Sequence, residues 1–246
     1  MIRTAIHDER PALGRLAAQV AEQAIAAGAD AAEVVVQSGA ELSVKVRRSE
    51  TELIREAGSR GLGLRVFRDH RAAVTYTSDF TPEGLAAFVA DSVALSRLAE
   101  PDELNELPER EWLLQGAAPD LDLWDDDALS VTTEEALTRA RTAEAAALGY
   151  SPKVTNTDGA SYSRVVGAGA LALADRSGVV FSGQSRGTYQ SLVVEPICDD
   201  ADGKKRNGHY WTADRFLSRL ESPEAVGREA ARRTIAKLDP EKLATQ

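Results

Sequence analysis

Soft donors are scarce in this chain of 246 residues: one cysteine, three histidines and one methionine. Cys198 alone cannot form an intrachain disulfide, and there is no Cys-x-x-Cys pair or histidine-rich tract, so a disulfide scaffold and a zinc finger are excluded. No run of apolar residues approaches the eighteen that a membrane helix needs. The N-terminal arm carries His7, Asp8, Glu9 and Arg10 where a signal peptide would need an apolar stretch. The expected location is therefore cytoplasmic. A formal net charge of -10 gives no general attraction for nucleic acid or anionic lipid, so neither is expected as a partner.

What is present is ordinary globular material, 43% apolar and 28% charged, enough for one large or two modest domains. The negative charge is concentrated. Between residues 100 and 127 stand eleven acids against one base, Arg110. With 39 acids and 29 bases in the whole chain, 28 of each remain elsewhere and cancel. Pro101, Pro108 and Pro119 punctuate the same stretch, which reads as an extended linker. Leu121, Leu123 and Trp124 are expected to pin its end to a surface. The predicted organisation is an N-terminal α+β domain over 1–99, an acidic, proline-containing linker over 100–130, and a middle α+β domain over 131–246 that ends in a helix.

Before the linker, Leu13, Leu16, Ala17, Val20, Ala21, Ala24 and Ile25 form the stripe of an amphipathic helix that Gly28 ends. Strands are predicted over 34–36 and 42–46, with Ser38-Gly39 as the turn between them, then around 53–57 and 62–66. The chain turns at Asp69-His70 and returns through Ala72, Val74 and Tyr76. Thr81-Pro82-Glu83 opens a helix with an N-cap, a proline at the first position and an acid in the first turn. After the linker, Thr132 and Glu135 form a capping box ahead of Ala136, Leu137, Ala140, Ala143 and Ala147. Strands are predicted around 162–166, 170–174, 179–182 and 189–194. Ser222-Pro223-Glu224 opens the last helix, whose stripe is Val226, Ala230, Ile235 and Leu238. Helices at both ends of each run of strands indicate α+β, with two helix-covered, mainly antiparallel sheets joined by the acidic linker, rather than alternating βαβ units.

The candidate chemical motifs favour plain readings. Gly61-Leu62-Gly63 lacks the third glycine of a phosphate loop and runs into a strand, so its glycines are expected to permit close packing. Asp200-Ala201-Asp202-Gly203 resembles a calcium loop, but Cys198 occupies the first ligand position and His209 the twelfth, which points to an acidic hairpin tip. Asp125-Asp126-Asp127 reads as solvated linker. His7 lies in the N-terminal arm, His70 at a turn and His209 beside Tyr210 and Trp211; none sits in a His-Glu-x-x-His frame. Asp199 and Asp200 follow Cys198 and raise its thiol pKa, so a structural thiol is expected. No Gly-x-Ser-x-Gly elbow marks a serine nucleophile. The residues themselves therefore predict no catalytic, cofactor-binding or metal-binding position.

Several runs, taken in order, carry a family resemblance. Gly61-Leu62-Gly63-Leu64-Arg65-Val66-Phe67, then Thr77-Ser78-Asp79 and Thr81-Pro82-Glu83-Gly84-Leu85, are similar to the N-terminal domain of the TldD/PmbA family. Leu121-Asp122-Leu123-Trp124-Asp125, the helix carrying Glu144, Thr157-Asp158-Gly159-Ala160-Ser161-Tyr162-Ser163, Asp175-Arg176-Ser177-Gly178-Val179 and Ser222-Pro223-Glu224-Ala225-Val226-Gly227-Arg228-Glu229-Ala230-Ala231 resemble later landmarks. The similarity covers roughly residues 13–245.

The resemblance implies a cytoplasmic two-subunit metalloprotease that degrades or processes unfolded peptides. In it a TldD-type subunit holds zinc through a His-Glu-x-x-x-His helix, and a TldE or PmbA subunit lacks that motif. The tract Lys204-Lys205-Arg206-Asn207-Gly208-His209-Tyr210-Trp211 looks like the PmbA type. Family chains are expected to continue past the equivalent of Leu238 into a large C-terminal β domain, so a chain ending at Gln246 is read as a fragment or truncated product without it. The implied function is that of a noncatalytic PmbA/TldE-like subunit: no cofactor of its own, zinc in a TldD-like partner, and unfolded peptide as substrate. The family is also described as modulator of DNA gyrase-like, a link no residue here addresses. Two other classes remain open: a stand-alone peptide- or protein-binding regulatory module derived from the family, and a hydrolase using Cys198 or a serine.

Overall fold

Caps written in the sequence set the helix starts. The Thr81 hydroxyl accepts from the Gly84 N–H ahead of α2 (Pro82–Ser96), and the Ser222 hydroxyl accepts from Ala225 ahead of α5 (Pro223–Ile235). Thr132 and Glu135 close a reciprocal capping box on α4 (Thr133–Leu148). With α1 (Arg10–Ala26) and the single turn α3 (Asp127–Ser130), these are the α-helices of the computed structural model, which describes residues 9–116 and 118–241. No helix among the described residues is long and apolar enough to cross a membrane.

The strands are β1 (Ala31–Arg47), β2 (Glu50–Arg68), β3 (Arg71–Thr77), β4 (Val154–Asp175), β5 (Gly178–Asp199), β6 (Lys205–Asn207) and β7 (Tyr210–Asp214). Their hydrogen-bonded order is β3-β2-β1-β4-β5-β6, with β7 also on β5. β3 runs antiparallel to β2, and β6 and β7 antiparallel to β5. Tight turns at Arg48-Ser49 and Asp69-His70, all four residues at positive φ, reverse the chain between β1 and β2 and between β2 and β3. A Cβ on Gly167 would meet the Ser38 carbonyl at 3.2 Å and one on Gly169 the Val36 carbonyl at 3.4 Å, so β4 ascends as β1 descends. The class is α+β with antiparallel pairing, as the element order indicates.

Strand length is where sequence and structure differ. The eight short strands expected merge into four long ones, and Ser38-Gly39, expected as a turn, lies inside β1. A glycine interrupts a hydrophobic pattern whether it turns the chain or admits a neighbouring backbone. Here it does the latter.

Residues 1–40, 58–123 and 167–187 form one compact unit, and residues 41–57, 124–166 and 188–246 form the second. Each long strand changes unit within one residue of a glycine: Gly39, Gly58, Gly167 and Gly187. In the first unit, Leu13, Val20 and Ala24 of α1 and Leu85, Val89 and Val93 of α2 pack on Val34, Val36, Leu62, Leu64 and Ala170. In the second, Leu137, Ala140 and Ala147 of α4 and Val226 and Ala230 of α5 pack on Leu42, Val44, Tyr162 and Leu192. Each fully buried valine or leucine contributes about 1.5–3 kcal/mol relative to exposure. β3 turns its expected apolar residues outward: Val74 pairs with Arg65 and Tyr76 with Gly63, while Thr75 reaches Ser92 of α2 at 2.6 Å.

Of the apolar residues expected to pin the end of the acidic stretch, Leu121 is exposed, while Leu123 and Trp124 are partly buried. A polar contact adds to them. Asp125 is buried, accepts from the N–H of Leu217 at 2.7 Å and of Asp127 at 3.0 Å, and donates its own N–H to the Thr188 hydroxyl. Asp125 is thus structural rather than solvated. Earlier in the stretch, Arg110 reaches Asp175 and the Ser177 hydroxyl, each at 2.7 Å.

Two glycines test this packing. A Cβ on Gly227 of α5 would collide with the Ala143 carbonyl of α4, whereas one on Gly61 meets nothing within 4 Å. Gly227→Ala should lower unfolding free energy by about 1–3 kcal/mol in urea titrations, and Gly61→Ala should leave it unchanged or raise it by about 0.5 kcal/mol. Limited proteolysis should cut first between residues 100 and 120, where the backbone makes few tertiary hydrogen bonds; initial cuts within residues 61–76 would contradict this.

Candidate functional site

Among the described residues the possible metal donors do not converge. His70 sits at the β2–β3 turn, where its carbonyl accepts from the Asp102 N–H and the Asn105 amide; His209, exposed, joins β6 to β7 in the other unit. His7 lies outside the described residues. Cys198 is fully buried in the second core; burial, reinforced by Asp199, pushes its thiol pKa up. Asp200, in the loop weighed as a calcium site, accepts from the backbone of Asp239 and Ala201 and from Arg206 at 2.6 Å, which hold its carboxyl below the usual range. Its oxygens are committed to the protein. Among the described residues no three His, Cys, Asp or Glu side chains are placed to share a metal ion. The donor set does not fit a zinc centre.

Two polar constellations lie inside the second unit. Glu144, fully buried on α4, accepts the N–H of Arg48 at 2.8 Å and of Ser49 at 2.7 Å, clasping the tip of the β1–β2 hairpin. Those residues carry φ of 53° and 65°, a left-handed conformation costly for non-glycine residues, and charge-assisted hydrogen bonds offset that cost. The signal for this role was an acid within the stripe of Ala140, Ala143 and Ala147. The second constellation is Tyr162, whose hydroxyl donates to the Gln190 side chain in the core; burial pushes its pKa up to about 12. Beside it on β4, Arg164 donates to the Val131 carbonyl at 2.8 Å. These groups are enclosed and serve as scaffold.

An open concavity lies in the first unit. It has a volume of about 620 Å³ and is lined by Val35 and Gln37 of β1, residues 60–63 of β2, and residues 76–78 where β3 ends. Its cause is a step in the sheet. β3 pairs with β2 only from Leu62↔Thr77 to Arg68↔Arg71, so β2 continues past the end of its neighbour. Gly61 and Gly63, expected to permit close packing, instead leave this floor without side chains. Tyr76, 90% exposed, forms one wall. The Arg60 guanidinium lies 4.8 Å from the centroid of the Phe80 ring. The combination presents backbone and one aromatic face.

Known proteins share this architecture. The family model described as PmbA/TldA metallopeptidase domain 1 matches residues 32–96, and that of the PmbA/TldA metallopeptidase central domain matches residues 126–238. The chain is 31% identical over 222 residues to Metalloprotease PmbA of Escherichia coli O157:H7, covering 88% of this chain and 46% of that protein. It is 28% identical over 231 residues to the Metalloprotease PmbA homolog of Haemophilus influenzae, covering 92% and 48%. It therefore spans about half the length of the curated relatives it matches. A structure from Bacteroides thetaiotaomicron described as a modulator of DNA gyrase superposes with a TM-score of 0.81 at 21% identity, covering 93% of this chain and 51% of that one. TldE of Thermococcus kodakarensis superposes with a TM-score of 0.67 at 14% identity, covering 88% and 46%. At these identities the structures establish a shared fold alone.

Two outcomes follow from the buried groups. Glu144→Ala strands two backbone donors and should cost roughly 2–4 kcal/mol of stability in denaturant titrations. Native Cys198 should resist iodoacetamide at neutral pH and react once urea unfolds the chain; fast native alkylation would contradict its burial.

Proposed function

This chain belongs to the PmbA/TldD metallopeptidase family, and from that premise we propose that it acts as a noncatalytic, PmbA/TldE-type subunit of a metalloprotease that degrades or processes unfolded peptides. The observation that carries the reading is the run of family similarity through both units, toward relatives named PmbA. A TldD-like partner supplies the zinc and the hydrolytic chemistry; this chain shapes the complex and receives peptide. The reading places the pair in the cytoplasm, with no role for nucleic acid or membrane. It also keeps the division of the chain into 1–99 and 131–246 about the stretch 100–130 as a division of sequence, with the family matches at 32–96 and 126–238 in support, while residues 41–57 pack in the second compact unit and 167–187 in the first.

Peptide handling follows from edges. In the second unit, residues 50–57 of β2 face no further strand on the β3 side among the described residues, and Leu53 and Ile54 are both about half exposed. An extended peptide added there gains main-chain hydrogen bonds that are indifferent to its side chains. That mode suits unfolded substrates.

The test compares the isolated chain with a pair made from a TldD-like partner and the full-length polypeptide carrying this sequence, both on an unstructured peptide. The pair should cleave and lose activity to a chelator, and the isolated chain should do neither. Chelator-sensitive cleavage by the isolated chain, or one tightly held zinc per chain in elemental analysis, overturns the noncatalytic assignment. Chelator-insensitive cleavage lost in Cys198→Ala would favour a cysteine hydrolase instead.

A further inference from the structure

The concavity is a trough on the face of the first unit's sheet opposite α1 and α2. Leu62 and Leu64 of β2, with Val34 and Val36 of β1, point into the core beneath those helices. Strand alternation therefore turns Gly61, Gly63, Val35 and Gln37 the other way. Tyr76 pairs with Gly63 and shares its face. In the order β3-β2-β1 the glycine strand is the middle one, so Tyr76 walls one side and Val35 and Gln37 the other. Of the lining residues only Arg60 is charged, and its guanidinium stands over Phe80, a ring packed on the core side. Arg60 and Leu62 thus give the trough main chain alone.

The width follows from the sheet. Walls carried on alternate strands stand two strand spacings apart, about 9–10 Å. A group midway between them lies about 5 Å from each, within the centroid separations of about 4.5–7 Å at which aromatic rings pair. One flat ring fits there, and a helix about 10 Å across does not. Packing does not require the bare floor: a Cβ on Gly61 would meet nothing within 4 Å, and one on Gly63 only the Thr75 carbonyl at 3.9 Å. Two residues beyond Gly63, Arg65 pairs with Glu33 at 3.3 Å and closes one end with a neutralised pair. Gln37, Thr77 and Ser78 bring hydrogen-bonding groups to the other end. No charged side chain among the lining residues turns into the trough to answer an ionised group, whereas the exposed ring of Tyr76 can answer another ring.

We propose that this trough receives an aromatic side chain of an unfolded peptide, stacked against Tyr76 over the floor of Gly61 and Gly63, with Gln37, Thr77 and Ser78 meeting the peptide main chain. The assignment rests on the peptide-handling reading above and adds a selection to it. Folded proteins bury most of their aromatic surface, so an exposed ring marks a chain that has lost its fold. A bare strand edge accepts any extended stretch; the trough selects stretches that carry a ring. The net charge of -10 further favours a peptide that is basic over one that is acidic.

The test uses the full 246-residue chain and two unlabelled peptides, Lys-Ser-Ala-Phe-Ala-Ser-Lys and its counterpart with alanine at the centre, followed by titration calorimetry and nitrogen-15 NMR. The phenylalanine peptide should bind about tenfold more tightly, the scale of one ring–ring contact, and its ring current should shift the amides of Gly61 and Gly63. Tyr76→Ser should abolish the preference and Tyr76→Phe should retain it, both without change in melting temperature because the ring is exposed. Gly63→Val, which raises the floor, should reduce the phenylalanine peptide to the level of the alanine one while the melting temperature holds. Equal binding of the two peptides, a preference that survives Tyr76→Ser, shifts confined to residues outside the trough, or no saturable binding up to millimolar peptide each overturns the proposal. Self-association that Tyr76→Ser abolishes, with no response to the phenylalanine peptide, assigns the trough to a second copy of the chain and overturns it as well. Absence of the aromatic preference with partner-dependent cleavage intact removes this site and leaves the subunit reading standing. An aromatic preference without cleavage by the pair does the reverse.

Discussion

Two strands, β1 and β4, each supply two hydrophobic cores, and the rest of the structure depends on their keeping one register while they do so. In β1 the even-numbered Ala32, Val34 and Val36 enter the first core and Leu42, Val44 and Val46 the second. In β4 Ala160 and Tyr162 serve one core and Ala168, Ala170, Ala172 and Ala174 the other. Because side chains alternate with a period of two, a slip of one residue anywhere along such a strand would turn one of its two apolar sets to solvent. The glycines at 39, 58, 167 and 187 lie where the strands pass from one unit to the next, and the approach of Gly167 to the Ser38 carbonyl is one that a larger residue would crowd.

Given that register, the polar devices of the second unit fall into place. Glu144 holds the β1–β2 turn from a helix nearly a hundred residues later in the chain. Asp125 ties the end of the acidic stretch to the backbone of Leu217 and to Thr188. In both cases a carboxylate answers backbone N–H groups that would otherwise be lost from water, a structural use of charge.

The proposed subunit role asks this chain to receive peptide. Unpaired strand edges recognise the one feature that unfolded chains share, an extended backbone.

Much of this was legible in local patterns. Helix starts were, because Thr81-Pro82, Thr132 with Glu135 and Ser222-Pro223 act through hydrogen bonds three residues long. So were the helical stripes, the α+β class and the family. The strand lengths, the outward turn of Val74 and Tyr76, the clasp by Glu144 and the step beside Arg60 were not. Each depends on a neighbour remote in the chain: a glycine reads alike whether it bends the backbone or admits another strand beside it, and an arginine reads alike whether or not an acid folds back to meet it. Interactions within a few residues belong to the sequence alone, and those closed across a hundred residues exist only once the sheet has brought their partners together.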